Sequence, residues 1–300
     1  MNDRLHVHFP NEQRDGIRSG LLSWWPEHAR PLPWRDTRDP WAVLVSEVMA
    51  QQTQVDRVIP RWLEFLERFP SPDETASAPL SDILRLWSGL GYNSRGKRLH
   101  EAARVLVAEH ESQLPESLPA LLELPGVGPY TARAILAFAF ERDVAVLDTN
   151  VGRVLARLVG RTLGASEAQT LADALVPTGA GWAWNQALLD FGAIVCRKTE
   201  PGCHSCPLCR LCHFGNDQEG VDPASGSFGV STKQSKFEGS DRQGRGRLMK
   251  ALVQGPIRHE ALADTMGWPA EFERASTVAQ DLIHEGLIET TVDGYRLPES

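Results

Sequence analysis

An all-α fold is predicted for most of this chain by two observations. Apolar residues recur at three- and four-residue spacing, and few segments alternate as strands do. A third observation concerns the C-terminal end, where the helical pattern gives way to a short hairpin signal. The 300 residues suffice for one large domain or two of ordinary size.

Residues from 20 to about 196 read as a succession of helices with short breaks. Asp39-Pro40 opens the helix that contains Glu47, and Pro40 suits the first helical position. Trp62, Leu63, Phe65 and Leu66 mark the apolar face of the next helix, and Gly89 and Gly91 close the one around Trp87. Residues 118–123 and 131–140 are predicted helices flanking Leu124-Pro-Gly-Val-Gly-Pro-Tyr130. Leu155, Leu158 and Val159 share a helix face, and Ser166 with Gln169 is expected to form a capping box before the run from Leu171. Residues 215–240 have no apolar period and read as a flexible linker, which separates a domain over 1–214 from a module over 241–300. In that module Leu248, Met249, Leu252 and Val253 fit one helix, 257–266 a second and 270–287 a third, and Asp293-Gly294 is a hairpin turn. Three helices and a hairpin suggest a winged-helix-like module. Such a module serves DNA or protein contact, and the fold alone does not decide. Its third helix, with Glu271, Glu273 and Asp281, is a poor groove reader.

The net charge of −8 argues against a general nucleic-acid binder. Two local basic patches exist, Arg95 with Lys97 and Arg98, and Arg242 with Arg245, Arg247 and Lys250; taken alone, each reads as solvated surface. No apolar stretch is long enough to span a membrane, and the first residues lack the apolar segment of an export signal. An intracellular chain with reduced thiols is therefore expected.

That expectation gives the cysteines their meaning. Cys196, Cys203, Cys206 and Cys212 form a C-x6-C-x2-C-x5-C run, and the fifth cysteine, Cys209, lies inside it. Reduced thiols so clustered point to zinc or to a 4Fe–4S cluster, and a single compact loop favours iron–sulfur. Cys203, Cys206, Cys209 and Cys212 also make an unbroken C-x2-C-x2-C-x2-C series, so spacing leaves open whether Cys196 or Cys209 is the spare.

Three further segments carry chemistry. Gly126, Val127 and Gly128 lie in a Gly-rich connection that ends at a helix N-terminus, where N–H groups and the helix dipole favour phosphate. Read alone, it is either a helix-hairpin-helix that clamps a DNA backbone or an ordinary helix connection. Glu47 sits inside the apolar run from Val43 to Ala50. It is either on a wet face or buried, and burial would raise its pKa toward that of a general acid. Asp148 follows Val144-Ala-Val-Leu147 and precedes a helix, so it is an N-cap or a catalytic carboxylate. Two carboxylates pushed to different pKa values make an acid and stabiliser pair for glycosidic cleavage.

Taken in order, Leu32-Pro-Trp-Arg35, Ser46-Glu-Val-Met-Ala-Gln-Gln-Thr-Gln-Val55, Leu86-Trp-Ser-Gly-Leu-Gly-Tyr92, Leu124-Pro-Gly-Val-Gly128, Val146-Leu-Asp-Thr-Asn-Val151 and the cysteine loop resemble the helix-hairpin-helix (HhH-GPD) DNA glycosylase superfamily. The resemblance is to adenine DNA glycosylases of the MutY type and covers residues 20 to 214. It implies a six-helix barrel module with an iron–sulfur module, and a double-stranded DNA substrate in which adenine opposite 8-oxoguanine or guanine is flipped out.

The resemblance also implies roles. Glu47 would protonate the base and Asp148 would stabilise the sugar cation, with Asn150 orienting that region. Tyr130 stands where bifunctional endonuclease III relatives carry a catalytic lysine, which implies a monofunctional enzyme that leaves an abasic site. Gln52 and Tyr92 match positions that enter the base stack. Gly126, Val127, Gly128, Arg95, Arg197 and Lys198 would contact DNA. Cys196, Cys203, Cys206 and Cys212 would bind the 4Fe–4S cluster, leaving Cys209 spare; the cluster would hold the loop and present Arg197, Lys198 and Arg210 to phosphates.

Such an enzyme is expected as a monomer in a bacterial cytoplasm, associated with the nucleoid through DNA. Asn93, Ala50 and Pro129 depart from the usual pattern. Residues 241–300 are too short and too helical to be the Nudix-like domain that checks for 8-oxoguanine in the family. Two other readings compete: a thymine glycosylase for T·G mispairs, and a non-catalytic cluster-containing DNA-binding regulator. Gln51-Gln52 favours adenine over the first, and the presence of both Glu47 and Asp148 opposes the second.

Overall fold

Side-chain caps from Asp39, Ser71, Ser117, Asp148 and Ser240 each set the start of a helix. The computed structural model describes residues 9–216, 220–228 and 236–299. Its helices run in the order α1 (Asn11–Trp24), α2 (Pro40–Ala50), α3 (Val55–Arg68), α4 (Pro72–Ser77), α5 (Leu80–Leu86), α6 (Ser94–Glu109), α7 (Leu118–Glu123), α8 (Pro129–Phe138), α9 (Thr149–Val159), α10 (Ala165–Leu175), α11 (Gly181–Ile194), α12 (His213–Asn216) and α13 (Asp241–Gln254). Then come β1 (Ile257–Arg258), α14 (Leu262–Met266), α15 (Phe272–His284), β2 (Glu289–Thr290) and β3 (Gly294–Arg296). Among the described residues no helix is long and apolar enough to cross a membrane.

Contacts divide the chain into two units. One comprises the described residues through Arg38 and those from Pro129 to Phe228. Its core gathers Ile17 and Leu21 of α1, Val151, Val154, Leu155 and Leu158 of α9, Leu171 and Leu175 of α10, and Trp184, Leu188 and Phe191 of α11. Leu208, from the middle of the cysteine loop, is buried in the same core. A polar knot ties the N-terminal segment down. Asp190 of α11, fully buried, accepts a bidentate pair from Arg35 at 2.8 and 2.9 Å and bonds from Arg30 Nε and Trp25 Nε1. The Arg of the Leu-Pro-Trp-Arg motif is therefore an internal anchor.

The other unit holds Asp39–Gly128 and the described residues from Lys236 on. Asp39 caps α2 by accepting from the N–H groups of Trp41 and Ala42, and Pro40 takes the first position as the sequence predicts. In α2, Trp41 to Met49 are all buried, so this helix runs through the middle of its unit. The C-terminal residues form three helices and a sheet of order β1-β3-β2, antiparallel throughout, with Tyr295 opposite both Ile257 and Thr290. This is a winged-helix-like arrangement. It is bonded to its own unit: Pro298 O accepts from Ser81 N at the start of α5 (3.1 Å).

Three local expectations are corrected. Ser166 lies inside the first turn of α10, whose N-cap is Gly164, so no capping box forms with Gln169; the amide of Gln169 instead reaches Asp173. The stretch 257–266 is β1 followed by a short α14, because Ile257-Arg258 pairs with β3 before the helix begins. Of the stretch 215–240 read as linker, 217–219 and 229–235 lie outside the described residues, but Gly220–Phe228 is bonded to α9 and its surroundings. Its grip comes from one carboxylate, one hydroxyl and backbone groups, which carry no hydropathy signal.

Candidate active site and cluster loop

Asp148 is the N-cap of α9. Its Oδ1 accepts from Val151 N (2.7 Å), as any capping aspartate would. Its Oδ2 is held separately by the side-chain amide of Asn150 (2.8 Å). Burial raises the carboxyl pKa above the ordinary range, while the bonds from Val151 and Asn150 and the charge of Arg153 pull it back. One residue thus serves as both cap and candidate catalytic group, so the two readings of the sequence are compatible.

Asn150 links Asp148 to the cysteine loop. Its Oδ1 accepts from Arg153 Nη2 (2.8 Å), and Arg153 also donates to Gly192 O and, through Nε, to the carbonyl oxygen of Cys196 (both 2.7 Å). Close approach is possible because α11 has no side chain at Gly192. A Cβ there would lie 2.8 Å from Asn150 Cβ. Tyr130, half-buried, stands in the first turn of α8 in the same unit.

Glu47 belongs to the other unit, on α2, and is only 9% exposed. The wet-face alternative is therefore excluded. Gln52 and Tyr92 are exposed, non-glycine residues with positive φ, 54° and 48°. Such backbone costs about 1–3 kcal/mol per residue and clusters at functional sites. One side chain holds both turns. Arg95 donates to the carbonyl oxygens of Val48, Met49 and Gln51 at the end of α2, to Leu90 and Gly91 before Tyr92, and to Thr53 Oγ1. Its guanidinium lies 5.6 Å from the Tyr92 ring centre. Burial lowers its pKa to about 10, so it stays charged at neutral pH. The expectation that Arg95 contacts DNA is thereby corrected: its guanidinium is engaged inside the protein. Of its two neighbours, Lys97 pairs with Glu101 and Arg98 is exposed.

Gly126 has φ +78°, and a Cβ there would press to 2.9 Å from Arg98 Cβ, so glycine is required. A Cβ on Gly128 would meet nothing within 4 Å, which leaves an open backbone face, while Val127 is buried beneath it.

All five cysteines line one cavity, together with Val154, Arg157, Phe191 and Phe214. Among the described residues, no three His, Cys, Asp or Glu side chains form a group that could chelate a single ion. The cysteines instead surround a shared space, as a multi-atom cluster requires. Burial is the main cause raising the thiol pKa values of Cys196, Cys203, Cys206 (to about 12) and Cys212 (to about 11), and neighbouring cysteines add to it in the last three. A bound metal would reverse this, since it needs thiolates. Cys209 is turned toward Gly215 O (3.7 Å). Arg157 reaches two of the cysteines, donating to Cys196 Sγ (3.3 Å) and placing its carbonyl oxygen 3.2 Å from Cys212 Sγ. Arg197, Lys198 and Arg210 are exposed on the loop.

A helical fold, a Gly-Val-Gly helix connection, a half-buried, desolvated aspartate at a helix start and a cysteine-lined cavity together define a base-excision glycosylase scaffold. The model of the HhH-GPD superfamily base excision DNA repair proteins matches residues 45–177, and this chain belongs to that superfamily. It is 37% identical over 292 residues to the adenine DNA glycosylase of Mycobacterium tuberculosis, a match spanning 93% of each chain. A solved thermostable thymine-DNA glycosylase superposes with a TM-score of 0.65 at 31% identity, covering 69% of this chain and 98% of that one. Endonuclease III in a non-covalent DNA complex superposes with a TM-score of 0.62 at 23% identity and covers 70% of this chain, which speaks to the fold alone. The mycobacterial match therefore extends well beyond the share of the chain that these two structures cover.

Proposed function

We propose that this protein is a monofunctional adenine DNA glycosylase of base excision repair, acting on adenine opposite 8-oxoguanine or guanine in duplex DNA. The observation that carries the reading is Asp148: a desolvated carboxylate with one oxygen fixed by the helix start and the other by Asn150. Such a group interacts more strongly with a developing sugar cation than with a neutral ground state, and that difference is what accelerates glycosidic cleavage. Glu47, buried on α2, supplies the proton that makes adenine a better leaving group. Water then attacks the sugar and an abasic site remains. Tyr130 has no amine for a Schiff base, so no strand cleavage follows.

Gln52 and Tyr92, on turns fixed by Arg95, enter the base stack of the opened duplex. Gly126, Val127 and Gly128 offer backbone to phosphate, and Arg197, Lys198 and Arg210 add charge. Cys196, Cys203, Cys206 and Cys212 would hold a 4Fe–4S cluster, whose contribution is to fix the loop that displays those cations. The organisation proposed is a glycosylase domain over 1–214, a connection over 215–240 and a winged-helix-like module over 241–300.

A thymine glycosylase is the second reading, favoured by the 31% identity to the solved thymine-DNA glycosylase. Duplexes carrying A·8-oxoguanine, A·G and T·G, treated with alkali after incubation, separate the two. Adenine release from the first two is expected; release of thymine only would overturn the proposal.

A further inference from the structure

The stretch from Asp222 to Phe228 follows the cysteine loop and is absent from the chemistry above, yet it is bonded to that loop's support. Asp222 Oδ2 accepts from Arg157 Nη2 (2.6 Å) and Oδ1 from Arg157 Nε (3.1 Å), a two-point carboxylate–guanidinium pair. Arg157 is 1% exposed, and its remaining nitrogen donates to Cys196 Sγ and to Arg197 O. Farther along, Ser227 Oγ accepts from Leu163 N (3.1 Å), and Phe228 N donates to Leu163 O (2.8 Å). Ala224 and Ser227 are buried. Phe228 lies over Gly152 of α9, where an added Cβ would come within 2.8 Å of Phe228 O. Four separate contacts thus fix a short polar segment along α9 and the loop after it.

We propose that residues 222–228 form a strap that locks the cysteine loop to α9, with Asp222 a positioning residue that acts on the cluster ligand Cys196 through Arg157. The inference rests on the 4Fe–4S reading of that loop. A buried guanidinium without a counter-charge is costly, and Asp222 both compensates Arg157 and fixes the direction of its bond to the ligand sulfur. Hydrogen bonds to the sulfurs, local charge and solvent access are the levers that set a cluster's potential and its resistance to loss. The strap works on the first two, through the Arg157 bond to Cys196 Sγ and the charge of Asp222.

The test uses the full-length holoprotein and follows the visible cluster absorbance in air-saturated buffer with an iron chelator, alongside the cluster's midpoint potential. D222A and D222N are expected to speed cluster loss by about tenfold, and D222E to recover part of it. D222N, which keeps the side-chain shape but removes the charge, also shifts the midpoint positive. G152A obstructs the strap without altering any charge and is expected to speed loss as well; D264N, on an exposed aspartate of the C-terminal module, behaves as wild type. Wild-type loss rates in D222A, D222N and G152A would overturn the strap. Wild-type protein lacking iron and acid-labile sulfide would overturn the cluster reading itself, and the strap's role with it.

Discussion

Asn150 joins Asp148 to the support of the cysteine loop: its amide nitrogen holds Asp148 Oδ2 at 2.8 Å, and its amide oxygen is held by Arg153 at the same distance. Because Arg153 also grips Cys196 O, the position of Asp148 depends on the cysteine loop through three side-chain bonds in series.

Replacing Asn150 with alanine should therefore slow base release more than it weakens binding. A hydrogen bond to a charged group contributes about 1.5–3 kcal/mol, which is about 10- to 100-fold in rate. Single-turnover kinetics on an A·8-oxoguanine duplex, with binding measured on an uncleavable analogue, gives the two effects separately. Equal losses in both would show Asn150 to be a scaffold residue only.

Gly192 tests the same chain of contacts from the opposite face. A methyl group there would displace Asn150, whose Cβ would be 2.8 Å away. G192A is expected to keep the fold and its cluster but lose about 100-fold in single-turnover rate, the penalty for a displacement on the scale of an ångström near the reacting centre. A variant with wild-type rate would mean that Asn150 tolerates movement.

Much of this was legible in the chain. Asp39-Pro40 names the start of α2, and the cysteine run names its own site, because both signals are local. Glu47 within Val43–Ala50 left two alternatives, and only the burial of every residue from Trp41 to Met49 chooses between them. Arg95 was misread for the same reason. Three cations in four residues look like a surface patch, but a helix turns consecutive residues in different directions, and Arg95 faces the carbonyl ends of α2. The Asp222 strap was illegible, since it depends on Arg157, 65 residues away, and on backbone bonds that no composition reveals.

Arg95 should accordingly behave as a stability residue. R95A removes the guanidinium bonds to five carbonyl oxygens at the α2 terminus and the Tyr92 turn, two of which keep a bond from Thr53 Oγ1. A loss of about 3 kcal/mol or more is expected in denaturant unfolding, and R95K, with a point charge in place of a fork, should recover only part. If R95A instead kept wild-type stability and merely reduced the salt dependence of DNA binding, the expected DNA contact of Arg95 would be restored.

The cysteines make a separable prediction. C196S is expected to abolish the cluster and C209S to retain it, read by iron and acid-labile sulfide content. The reverse result would assign the ligand set to the unbroken C-x2-C series.

The raised pKa of Asp148 gives a pH signature in stability. The group titrates near the usual aspartate value when unfolded and higher when folded, so the folded state binds the extra proton between those two values. Below the unfolded pKa both states are protonated and ionisation costs nothing. As pH rises through the window, folding must oppose ionisation of a desolvated carboxylate, and the cost becomes full above the folded pKa. D148N removes that cost while an amide oxygen can still cap Val151 N. Its melting temperature relative to wild type should therefore rise as pH climbs above the ordinary aspartate range and level off once the folded carboxyl is ionised, while base release is abolished and duplex binding persists. A stability difference that is flat across this range would show that Asp148 pays no desolvation penalty, and the electrostatic account of its role would fall.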